Sequence, residues 1–93
     1  MKTMVFWSLK PGASLSEAVR RFLAGEAGPQ AGQKILGRWH AVDMSIGFTL
    51  SESDNPASHY LAASKFADIM DLRAYPVLED SEVGPILAGM AKR

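Results

Sequence analysis

The stretch QKILGRWHAVDMSIGFTLS, Gln33 to Ser51, decides the fold, because two alternating runs flank a break at Val42-Asp43. Successive side chains of a strand point to opposite faces, so period-two patterning on both sides of a break reads as a β-hairpin. A two-residue turn at Val42-Asp43 pairs Ala41 with Met44, Trp39 with Ile46 and Gly37 with Phe48. One face then carries Ile35, Gly37, Trp39, Ala41, Met44, Ile46, Phe48 and Leu50. The other carries Leu36, Arg38, His40, Ser45, Gly47, Thr49 and Ser51. The first face is expected to be core and the second polar. Val-Asp is a poor primed-turn pair, and a longer loop of the same parity preserves the sorting.

Toward the N-terminus, Thr3 to Leu9 is a short apolar run ended by Lys10-Pro11-Gly12, as expected of a strand buried on both faces. Ser14 precedes Glu17 by three residues, a capping-box spacing in which hydroxyl and carboxylate each take a free backbone N–H. The helix that follows has Leu15, Ala18, Val19, Phe22 and Leu23 on one stripe. Gly25, Gly28-Pro29 and Gly32 then break it into a loop. Toward the C-terminus, Asp54 or Asn55 before Pro56 supplies an N-cap and an N1 proline for a second helix. Its apolar stripe is Leu61, Ala62, Phe66 and Ile69. Leu72 to Leu78 reads as a last strand, which Pro76 confines to a sheet edge. The order strand, helix, strand, strand, helix, strand predicts an α+β ferredoxin-like sandwich. Its antiparallel four-stranded sheet has the first and third strands central and two helices on one face. The chain is expected to be a single domain over 1–93, with a core of 3–79 and a C-terminal tail of 80–93 that holds Pro85, Ile86, Leu87 and Met90 in one short amphipathic helix.

A length of 93 residues leaves room for one core. Ten Lys+Arg against ten Asp+Glu leave no basic footprint for nucleic acid or anionic lipid. Without cysteine there is no disulfide framework, thiolate metal site or cysteine nucleophile. Neither a leader's apolar region nor a bilayer-spanning run is present, so a soluble cytoplasmic protein with no nucleic-acid or membrane partner is expected. The loop glycines follow a helix rather than a strand, which argues against a phosphate cradle.

The sheet face without helices is expected to present Arg38, His40, Ser45, Thr49, Arg73 and Tyr75, with Leu36, Val77 and either Trp7 or Phe6. Such a mixture suits a cleft enclosed between two protomers, its aromatic walls carrying a few polar groups. His40 is the candidate general acid or base, against the alternative of a solvated edge residue. Arg38, two residues away on the same face, is placed to clamp a carboxylate or enolate, against a plain surface arginine. Tyr75 is a candidate hydrogen-bond donor to a carbonyl, and Trp7 a cavity wall or core residue. Thr49 and Ser45 have no base beyond His40 and are expected to tune polarity, while Trp39 reads as a core anchor. His59 falls on the polar side of the second helix with no further ligand at i+3 or i+4, so no metal site is expected, and no cofactor.

Four local features together carry a resemblance: Lys10-Pro11-Gly12 after the first strand, Arg38-Trp39, the Phe48 to Asp54 stretch, and Pro76-Val77. Through them the chain resembles a small bacterial family of uncharacterised function within the dimeric α/β-barrel superfamily. The resemblance implies a ferredoxin-like protomer and a back-to-back homodimer. The superfamily spans cofactor-free monooxygenases, isomerases, dehydratases and plain small-molecule binders, and fold does not choose among them. Two readings therefore stand. One is a homodimeric protein binding a small apolar or aromatic ligand, with His40 catalytic and Trp7, Arg38, Thr49 and Tyr75 holding the ligand. The other is a structural or interaction module whose open face only dimerises or docks a partner.

Overall fold

In the computed structural model, which describes residues 1–93, the N-terminal apolar run forms strand β1 (Lys2–Leu9). It ends where Lys10-Pro11-Gly12 turns the chain, with Gly12 at φ 81°. Helix α1 (Leu15–Leu23) starts as expected: the Ser14 hydroxyl accepts the Glu17 backbone N–H at 3.2 Å. The reciprocal half of the capping box is not made. Arg20 and Arg21, one turn along the same helix, claim the Glu17 carboxylate, and two cations outbid a neutral N–H. Arg21 also forks onto Asp68 at 2.8 and 2.7 Å, which ties α1 to the segment before the last strand. These arginines hold the carboxyls of Glu17 and Asp68 down to about 2.

Strands β2 (Gln33–His40) and β3 (Gly47–Ser53) form the expected hairpin. Helix α2 (Pro56–Ser64) follows with Asn55 as its N-cap and Pro56 at its start, then strand β4 (Met70–Val77) and helix α3 (Asp80–Met90). The sheet order is β2-β3-β1-β4 with every neighbour antiparallel, so β1 and β3 are central. Pro76 sits on the edge strand β4, where its missing N–H costs no ladder bond on the free side. The architecture is α+β, a four-stranded sheet with three helices, the third following the six expected elements. No helix is long and apolar enough to cross a membrane.

The hairpin corrects the sequence reading in two places. Its loop has four residues, not two. Ala41 N–H bonds the Ile46 carbonyl, Trp39 lies opposite Phe48 rather than Ile46, and the Asp43 carboxylate accepts the Ser45 backbone N–H and hydroxyl. A bulge between Ile35 and Gly37 then moves Ile35 to the face of Arg38 and His40. Across the sheet, one face carries the rows Trp39–Phe48–Phe6–Arg73 and Gly37–Leu50–Met4–Tyr75. The opposite face carries His40–Gly47–Trp7–Leu72, Arg38–Thr49–Val5–Ala74 and Ile35–Ser51–Thr3–Pro76.

Helices α1 and α2 cover the second of these faces, the reverse of the expected arrangement. Arg38 and Thr49 lie half-buried beneath the helices and His40 lies on the same face at the exposed end of β2, while Trp39, expected in the core, is 54% exposed on the open face. The reversal has a physical cause. Crossover handedness decides on which side of a sheet the helices lie, and the pleat decides which residues point there. β1 is apolar on both faces and offers no anchor between the two. On the helix side, Trp7 lies flat on the backbone of Gly47, where any Cβ would collide with its six-membered ring. Substitution Gly47→Ala is expected to lower stability by about 1–3 kcal/mol through that overpacking, measurable as a lower urea midpoint with unchanged m.

Candidate functional site

Between the sheet and helices α1 and α2 lies a cavity of about 340 Å³. Its walls are mostly apolar: Leu15, Val19 and Phe22 from α1, Ala62, Ala63 and Phe66 from α2 and the segment after it, and Val5, Trp7, Ile35 and Leu72 from the sheet. Phe22 and Val19 keep 40% and 47% of their surface exposed, so the space under α1 is an open cleft rather than a packed layer. Polar groups gather at its two ends.

At the end near the hairpin loop, Thr49 Oγ1 accepts from Trp7 Nε1 at 3.3 Å and from Arg38 Nε at 3.4 Å. Arg38 Nη2 donates to the Ala27 carbonyl of the loop after α1, and the guanidinium stands 5.4 Å over the Phe22 ring. No carboxylate pairs with Arg38, although Glu26 also lines the cavity. Burial lowers the Arg38 pKa from the ordinary arginine value, which in a guanidinium still leaves a cation at neutral pH. His40 packs edge-to-face with Trp7 and Phe22 at centroid distances of 5.2 and 5.7 Å. A cation, an imidazole and two aromatic walls thus converge on one apolar space.

At the other end, His59 on α2 is 7% exposed. Gln30 N–H donates to Gln33 Oε1, which turns the Gln33 amide nitrogen toward His59 Nδ1 at 3.1 Å. An amide N–H2 only donates, so Nδ1 accepts and the ring is the neutral tautomer with its proton on Nε2. The Ser51 hydroxyl completes the cluster, 3.1 Å from the same Nδ1. His59 Nε2 and Thr3 Oγ1 are buried there without a hydrogen-bond partner. Burial first, and the positive N-terminus second, lower the His59 pKa, with the Met1 backbone pulling weakly the other way.

The structure brings Trp7, Arg38, His40 and Thr49 together, but under the helices instead of on the open face. Tyr75 is on the opposite face, its ring against Phe6 at 5.9 Å, so it cannot share a ligand with Arg38. Ser45 is in the hairpin loop and bonded to Asp43. Sequence reasoning placed His59 on the polar side of α2 and did not assign Gln33 and Ser51 a place beside it. One signal was available: His59, Ala62, Ala63 and Phe66 stand at i, i+3, i+4 and i+7, the spacing of one inward stripe.

A histidine whose folded pKa lies below its unfolded value contributes stability that is complete above about pH 6.5 and is lost as pH falls toward the folded value. The melting temperature should therefore drop on acidification below neutrality, and His59→Gln should flatten that part of the profile.

Residues 1–91 match the model of the family described as Domain of unknown function (DUF3303), and the chain belongs to that family. No curated protein and no solved structure matches it significantly.

Proposed function

We propose that this member of a family of unknown function is a homodimeric small-molecule-binding protein whose ligand occupies the cavity between the sheet and helices α1 and α2. The observation that carries this reading is Arg38, a half-buried guanidinium without a carboxylate partner at the end of an apolar cavity. Unpaired charge in such surroundings is costly and is favoured where a ligand supplies the counter-charge. The fitting ligand is a flat apolar molecule bearing a carboxylate or enolate oxygen. Arg38 takes the oxygen through a charge-assisted hydrogen bond, and Trp7 and Phe22 wall the apolar body.

His40 borders the same space and makes no side-chain hydrogen bond to the protein, so its ring nitrogens are free to exchange a proton with that ligand. The chemistry these side chains support is cofactor-independent proton transfer next to a carbonyl, Arg38 stabilising the developing oxyanion. The strand order β2-β3-β1-β4 leaves the Trp39–Phe48–Phe6 face without helices, and this open face supports the ferredoxin-like, homodimeric reading. The interaction reading thus concerns the opposite face of the sheet and is compatible with the binding reading.

Titration of the labelled protein with phenylacetate and with phenylacetamide tests the site. Saturable shifts are expected at the Trp7 indole and the amides of Arg38, His40 and Thr49. Arg38→Gln should weaken phenylacetate by about tenfold, the scale of one charge-assisted hydrogen bond, and phenylacetamide far less. Shifts confined to Phe6, Phe48 and Tyr75, or none, would overturn the reading. For the proton-transfer step, phenylpyruvate in deuterium oxide should exchange its methylene protons above the buffer rate, and His40→Ala should abolish the excess.

A further inference from the structure

We infer that α3 is an arm exchanged between copies: within the homodimer proposed above, on which this inference rests, the apolar stripe of α3 lies against the open aromatic sheet face of the second copy. Val83, Ile86, Leu87 and Met90 stand at i, i+3, i+4 and i+7, one apolar stripe along α3. Their own chain half-covers Val83 and leaves the other three open. No residue of α3 is buried, and Ile86, Leu87 and Met90 are 59%, 54% and 53% exposed. An eleven-residue helix carrying Gly84, Pro85 and Gly89 has poor intrinsic stability and depends on packing to persist.

The shape of the chain gives the scale of what is missing. Its long axis is 52 Å, about twice the ~26 Å of an eight-residue strand. Its radius of gyration is 15.7 Å against about 12 Å for a compact chain of this length. It exposes 6490 Å², whereas a compact monomer of 10.1 kDa exposes about 5,300 Å². The excess of about 1,200 Å², divided between the cleft under α1 and the open face with α3, is of the order of the roughly 800 Å² that each partner buries in a standard interface.

The site of attachment points to the open face. Only Leu78 and Glu79 link β4 to α3, and Glu79 is ion-paired to Lys2, a residue of the open-face row Lys34–Glu52–Lys2–Val77. Glu79 N–H also bonds Glu82 within the first turn of the helix. This tether fixes the start of α3 at the border of the aromatic face, where Trp39 and Tyr75 remain 54% and 50% exposed. In a two-fold pair of copies each donates its α3 stripe to the other's aromatic face and receives one in return.

The test mixes carbon-13-labelled and unlabelled full-length protein and collects isotope-filtered NOEs, which arise only between copies. Contacts from the Ile86, Leu87 and Met90 side chains to the rings of Phe6, Trp39, Phe48 or Tyr75 are expected. Ile86→Glu/Leu87→Glu should raise the dimer Kd by about tenfold or more, as loss of central apolar anchors does, with the amide spectrum of the sheet otherwise kept. A stable dimer without those contacts and with an unchanged Kd in the variant would overturn the arm and leave the homodimer standing. A monomer at every concentration would overturn both, and contacts found only within one copy would overturn the exchange.

Discussion

The indole of Trp7 resting on the backbone of Gly47 is the contact on which the sheet depends. It requires the one residue type without a Cβ at that place, so it pins β1 against β3 in a single register. A slip by one residue would send every side chain of β1 to the other face. The same indole donates to Thr49 and packs edge-to-face with His40, so the contact that sets the register also assembles one end of the cavity.

From that register follows an unusual division of apolar surface. Ala18 is the only buried hydrophobic residue, whereas Thr3, Ser51, Ser53, Ser58 and His59 are all buried. The hydroxyls of Ser53 and Ser58 bond each other and the backbone of Asn55, and Gln33, Ser51 and His59 close a second network. These bonds knit α2 to β3. The large apolar side chains instead line an open cleft on one face and an exposed aromatic surface on the other, two places where binding supplies the burial that folding alone does not. The two ends of the cleft are physically different. The His59 end is closed by bonds that fix a tautomer, and the Arg38 end keeps an unpaired cation among aromatic rings.

Much of the fold was legible because it rests on local chemistry. Ser14 and Asn55 cap helices through short side chains that reach their own backbone, Pro56 suits a first helical turn, and Pro76 excludes a central strand. The α1 stripe and the shared face of Arg38, His40 and Thr49 followed from periodicity, whereas the choice between Trp7 and Phe6 needed the register of β1 against its neighbours. The loop length of the hairpin did not, because loops of two and four residues share a parity. The bulge at Leu36 left no mark in the pattern either. Glu17 was assigned to its backbone when nearby arginines, invisible to a capping rule, bind it more strongly.

By itself, then, the sequence determined which segments are helices and strands, how they follow one another and, from Gly37 to His40 and along β3, which residues share a face. Only the tertiary structure decided which face the helices cover, and so that Arg38 and His40 look into a cavity while Tyr75 looks out. The reason is that alternation is a property of a strand, while inside and outside are properties of the assembled sheet. With β1 apolar on both sides, hydrophobicity could not choose between them, and the choice fell to handedness, packing at Gly47 and the hydrogen bonds that make an inward polar row tolerable.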